Sequence, residues 1–120
     1  MVTKSPLPRL LDMAGALRAI ERFIGGVDVQ TFRANLLVRS AVERQLEVIS
    51  EASRHVPSEM KARHPDIPWR KLADLGNILR HAYHRVDPLI VWNIVRDDLP
   101  SLKRVVHAMI RDVRRRSDLE

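Results

Sequence analysis

The sequence predicts an all-α protein, an antiparallel bundle of four main helices with short extra turns. Apolar residues recur at three- and four-residue spacing, and no segment alternates apolar and polar residues as a half-buried strand does. Helix start and stop residues stand between those periodic stretches. The 120 residues are 45% hydrophobic but only 4% aromatic, enough for a core built from aliphatic side chains and methionine. With no repeat, linker or composition shift, residues 1–120 read as one domain.

The first helix is predicted over Leu7–Ile24, with Leu10, Met13, Ala14, Leu17, Ile20 and Ile24 as its stripe. Gly25-Gly26 ends it, because glycine takes a left-handed cap without a Cβ clash. Asp28 caps a short helix around Gln30-Thr31-Phe32, and Asn35 caps a second long helix reaching about His55. The inner face of that helix is Val38, Val42, Leu46 (or Gln45), Ile49, Ala52 and Val56, with Arg39, Glu43, Glu47 and Glu51 opposite. Pro57, Pro65 and Pro68 punctuate a connector holding one helical turn near Ser58–Arg63. A third helix runs from about Pro68 to Tyr83 and buries Leu72, Leu75, Leu79 and Ala82. Asp87-Pro88 starts the last helix. Its seam of Trp92, Val95, Leu99, Leu102, Val106, Met109 and Val113 is either bundle core or partly a dimer face. Pro100 lies inside that helix and should kink or break it.

Composition excludes several kinds of chemistry. The absence of cysteine removes disulfides, thiolate metal sites and a cysteine nucleophile. No apolar run approaches the roughly 20 residues of a membrane span, and none follows Lys4 as in a signal peptide. A cytoplasmic protein is expected. The net charge of +6 favours an anionic partner such as nucleic acid, or is simply a basic solvated surface.

One segment stands out. Arg70, Asp74, Asn77, His81 and His84 follow helical neighbour spacing, so they form a polar stripe opposite Leu72, Leu75 and Leu79. Histidine ionises near neutral pH, which makes His81 a candidate acid or base; the plainer alternative is a histidine hydrogen-bonded into a helix junction. No metal site is expected. His81 and His84 lack a comparable ligand set, and His64 and His107 lie on other elements. There is no serine triad, and no phosphate-cradling loop surrounds Gly15, Gly25, Gly26 or Gly76.

The run Ile67-Pro68-Trp69-Arg70, then Leu75-Gly76-Asn77-Ile78-Leu79-Arg80-His81-Ala82-Tyr83, Val86-Asp87, Ile90-Val91-Trp92 and Asp98-Leu99-Pro100 resembles the HepT-like HEPN family. The resemblance extends upstream through Leu10–Met13, Leu46–Ala52 and Ala62–Pro65, so it covers nearly the whole chain in order. It implies an all-helical HEPN fold, a homodimer, and the toxin half of a type II toxin–antitoxin module. The partner it implies is an MNT-type nucleotidyltransferase antitoxin. The implied activity is that of a metal-independent, cofactor-free ribonuclease using an Arg-x-x-x-x-His-x-Tyr motif, silenced when the antitoxin transfers AMP to the motif tyrosine.

Carried over by position, the histidine is His81 and the AMP acceptor is Tyr83, but the arginine position holds Gly76. Helical side chains lean toward the N-terminus, so Arg80, one turn on, can project over Gly76. One reading therefore gives Arg80 the missing arginine's role, His81 that of acid/base and Asn77 that of polar orienter. The other is a catalytically inactive HEPN binding module that partners a nucleotidyltransferase. Arg111, Arg114, Arg115 and Arg116 are a second candidate RNA contact, or a frayed solvated tail, or a dock for the partner's acidic surface.

Overall fold

The computed structural model describes residues 5–82 and 86–119, so the predicted positions Tyr83 and His84 lie outside the described residues. The described chain is all-helical: α1 (Leu7–Ile24), α2 (Val29–Ala34), α3 (Leu36–Arg54), α4 (Ser58–Ala62), α5 (Trp69–Ala82), α6 (Pro88–Asn93) and α7 (Leu99–Leu119). A π-helical turn over Ile94–Asp98 joins α6 to α7. There are four main helical rods and three short helices, and no strand occurs among the described residues.

Local chemistry sets the boundaries. Asp28 Oδ1 accepts from the Thr31 amide at 2.8 Å, Asn35 Oδ1 from Val38 at 3.1 Å and Asp87 Oδ1 from Leu89 at 2.9 Å. Each satisfies a donor that a helix start leaves unpaired. The Thr31 bond also holds the Asp28 carboxyl below the usual aspartate range. Beyond α1, Gly26 adopts φ +76°, a left-handed conformation that favours glycine. Trp69 secures the connector: its indole Nε1 donates to the carbonyls of Lys61 (3.1 Å) and His64 (3.0 Å).

The buried residues form one hydrophobic cluster. α3 occupies its centre, packed on α1 on one side and α5 on the other, while α7 packs on α1 and α2 bridges α3 and α6. Phe32 of α2 is fully buried and meets the Trp92 ring at 5.2 Å between centroids. The predicted stripes are buried in α1, α3 and α5, with Ile24, Val38 and Ala82 only partly covered. On the last helix Val95, Leu99, Leu102, Val106 and Met109 are buried within this chain, which makes that seam bundle core.

One expectation changes and another sharpens. The charged face of α3 is not simply solvated: Glu43 and Glu47 are partly covered and Ser50 beside them is buried, because neighbours flank α3 on both sides. That burial raises the Glu43 carboxyl above the usual glutamate range, with Arg39 opposing and Glu47 reinforcing the shift. Pro100 marks an interruption of the last helix, as expected, and the interruption is a π turn. Proline has no N–H for the Arg96 carbonyl and its ring would crowd it. The chain widens there into the π turn, in which the Leu99 amide donates to the Ile94 carbonyl five residues back.

Candidate active site

The site is carried by α5, whose placement depends on an unusually close approach to α3. Gly76 is buried against Ser50, and its amide donates to Ser50 Oγ at 3.0 Å. The Ser50 hydroxyl in turn donates to the Ala73 carbonyl at 3.0 Å. Arg54 reaches the same carbonyl through Nε at 3.1 Å and Nη2 at 2.6 Å. Ser53 Oγ is also satisfied, donating to the Ser50 carbonyl at 2.7 Å. One serine thus uses its donor and an acceptor pair to bind two backbone groups across the seam.

This seam explains the glycine at position 76. A Cβ on Gly76 would lie 2.7 Å from Ser50 Oγ and 2.9 Å from Ser50 Cβ. Because Ser50 Cβ is fixed to the α3 backbone, the two helices would have to separate to admit any side chain there. The same Cβ would lie 3.4 Å from Arg80 Nη1. The guanidinium of Arg80 therefore leans back one turn over Gly76, as helical side-chain direction dictates.

Arg70, Asp74, Asn77 and His81 are all exposed on α5, on the face away from buried Leu72, Leu75 and Leu79. Ile78, 48% exposed, lies on that outer surface too. Arg80 occupies a different flank. It lines a cavity of about 260 Å³ with Arg9, Asp12, Arg44, Glu47 and Glu51. Glu51 is held below the usual glutamate range, chiefly by His55, whose Nε2 lies 3.1 Å from its Oε1. No side-chain hydrogen bond among the described residues involves Asn77, Arg80 or His81. The structure therefore gathers Asn77, His81, Asp74 and Arg70 on one surface and sets Arg80 beside them, facing the α1–α3 groove. Among the described residues, no group of three or more His, Asp or Glu side chains is placed to hold a metal ion, and no helix is long and apolar enough to cross a membrane.

The Ser50–Gly76–Ala73 clasp was not anticipated from the sequence. Its signal was the pair Ser50 and Ser53, three apart beside the apolar stripe of α3, opposite a glycine on the inner flank of α5. Comparison with known proteins adds the decisive observation: the profile described as ribonuclease HepT-like matches residues 13–109. The chain belongs to the HepT-like ribonuclease family. It is similar to a probable ribonuclease HepT of Thermococcus cleftensis, 42% identical over 94 residues, covering 78% of this chain and 86% of the relative. A Methanocaldococcus jannaschii protein provisionally named an RNase is 35% identical over 97 residues, covering 81% and 89% of the two chains. Another such protein, from Caldanaerobacter subterraneus, is 26% identical over 108 residues, covering 90% and 96%. No solved structure gives a significant match.

Proposed function

We propose that this HepT-like chain is a metal-independent endoribonuclease, the toxin of a two-gene module acting in the cytoplasm. In this reading, Arg80 and His81 are the catalytic pair and Asn77 orients them. Arg70, Asp74 and His84 are supporting polar residues. The supporting observation is the position of the Arg80 guanidinium over Gly76, on a helix whose neighbouring face exposes His81 and Asn77.

RNA supplies its own nucleophile. Neutral His81 accepts the proton of a 2′-hydroxyl as its oxygen bonds to the adjacent phosphorus. The P–O5′ bond breaks, the 5′-oxygen leaves and takes up a proton, and a 2′,3′-cyclic phosphate remains. A guanidinium stabilises the negative charge that develops on the phosphoryl oxygens. A homodimer that places two copies of α5 face to face across the Ile78–His81 surface would double these groups in one groove. An MNT-type nucleotidyltransferase silences the toxin by transferring AMP to Tyr83, placing a phosphate where that of the RNA binds.

The test is expression with and without the adjacent nucleotidyltransferase. Growth arrest alone, cyclic-phosphate products, and AMP-sized mass additions lost in Tyr83→Phe support the reading. If Arg80→Ala and His81→Ala both leave RNA cleavage unchanged, the assignment fails. A second reading rests on a specific observation: Arg80 also faces Glu47 and Glu51. A guanidinium that shares a cavity with those carboxylates fits a non-catalytic module that binds the nucleotidyltransferase. Absence of cleavage by the purified wild-type protein would favour it.

A further inference from the structure

We propose that the outer flank of α7 and the groove at its start form a track for single-stranded RNA, separate from the His81 surface. The ligand class rests on the RNase reading above; the track itself rests on α7.

Arg104, His107, Arg111, Arg114 and Arg115 are all exposed and recur at spacings of three, four, three and one. They lie on one side of the helix, spread over about 16 Å of its axis. The buried side of the same helix carries Leu102, Val106, Met109 and Ile110. The basic C-terminal residues are thus not a frayed tail; α7 stays helical through Leu119 and aligns them. Among the described residues, none of the four arginines has a carboxylate within ion-pair distance, and the one ion pair on α7 joins Lys103 to Glu21 at 2.7 Å. The stripe is therefore a row of cations without ion-pair partners, with Asp112 and Asp118 the acidic residues nearest to it in sequence on the same helix.

At the N-terminal end of that row, Arg104 lines a groove of about 590 Å³ between α1 and the π turn. Leu17, Ile20, Val95 and Leu99 give it an apolar floor, the ion-paired Glu21 and Lys103 also line it, and Arg96 stands at its edge. Arg96 also lies 5.8 Å from the centre of the Trp92 ring. An unstacked base has an apolar face for such a floor, while its phosphates follow the arginines. A bilayer fits poorly: the only large apolar side chain exposed on α7 is Leu119, at its end. A duplex keeps its bases stacked and would leave the groove unused.

The test is binding of a fluorescent 2′-O-methyl RNA 12-mer to the full chain, read by anisotropy across a salt series. The 2′-O-methyl group blocks cleavage, so binding is read whether or not the RNase proposal holds. The variant is Arg104→Gln/Arg111→Gln/Arg115→Gln. The control is Arg22→Gln/Arg33→Gln/Arg63→Gln, which removes the same charge from exposed sites on other elements. The stripe variant should bind about tenfold more weakly, with a salt slope shallower by about 2, from about 0.7 per phosphate contact on single strands. The control should stay near wild type, and a duplex of the same sequence should bind less well. Equal losses in stripe variant and control would overturn the track, as would an unchanged slope. Equal binding of duplex and single strand would remove the groove from it. Thermal unfolding of each variant separates loss of binding from loss of fold.

Discussion

The two seams that hold the long helices together are built on opposite terms. Where α5 meets α3, small residues, Ser50, Ala73 and Gly76, line part of the contact beside the buried leucines of α5, and there a side-chain hydroxyl of one helix binds the backbone of the other. Where α7 meets α1, the contact is made by larger aliphatic side chains and a surface ion pair, and it leaves an open groove. A close seam fixes position but tolerates little change. A looser one accepts variation and leaves room for a ligand. The candidate catalytic residues sit on the first and the candidate RNA track on the second.

The strongest way to break this contrast is to place an arginine at position 76, where the family resemblance expects one. Gly76→Arg must force apart helices already in contact and should destabilise the fold by about 3 kcal/mol, the upper part of the range for overpacking. Adding Ser50→Gly should recover part of that loss, because it removes the atoms a Cβ meets. Equal thermal midpoints for Gly76→Arg and wild type would show that the seam opens freely. Next in size is Ser50→Ala, which withdraws the hydroxyl from the Gly76 amide and the Ala73 carbonyl. A loss of about 1–2 kcal/mol in urea unfolding is expected for those buried polar groups.

The looser seam should respond less. Pro100→Ala restores the N–H that the Arg96 carbonyl lacks, so stability should change by no more than about 1 kcal/mol. Single-stranded RNA binding should weaken as the π turn closes. Unchanged binding would separate the groove's shape from the proline. Smallest is Glu43→Gln. Burial raises this carboxyl, so the folded state binds its proton more readily than the unfolded chain does. Stability therefore falls as pH rises from the ordinary value of 4.5 through the raised one, and the charged form is unfavourable at pH 7. Glutamine should raise the thermal midpoint slightly at neutral pH, and the gain should fade below about 4.5. A gain that persists in acid would point to packing instead.

Much of this architecture was legible in the residues because its causes are local. Asp28, Asn35 and Asp87 cap as their side chains require, and Gly26 takes the left-handed turn. The stripes of α1, α3 and α5 follow helical spacing onto the core. Of the candidate site, the common face of Arg70, Asp74, Asn77 and His81 was equally readable, though not its exposure, and so was the lean of Arg80 over Gly76. The rest depends on what lies across a seam. Periodicity shows that a face is covered but not how closely, so Ser50 as a clasp and Glu43 as a covered carboxylate were not visible. Nor does a proline alone distinguish a kink from an inserted residue.

That last distinction reaches beyond the π turn itself. The rod from Pro88 to Leu119 accommodates one residue more than a regular α-helix of its length. Since each residue turns the helix by about 100°, the side chains before Ile94 and after Leu99 are out of phase by more than a quarter turn. The mismatch lets one continuous rod grip Phe32 through Trp92 at one end and α1 through Leu102 and Val106 further on. Deleting a single residue between 94 and 98 would regularise the helix, yet swing the arginine row away from the groove. The phase of this rod, more than its charge, determines where the cations point.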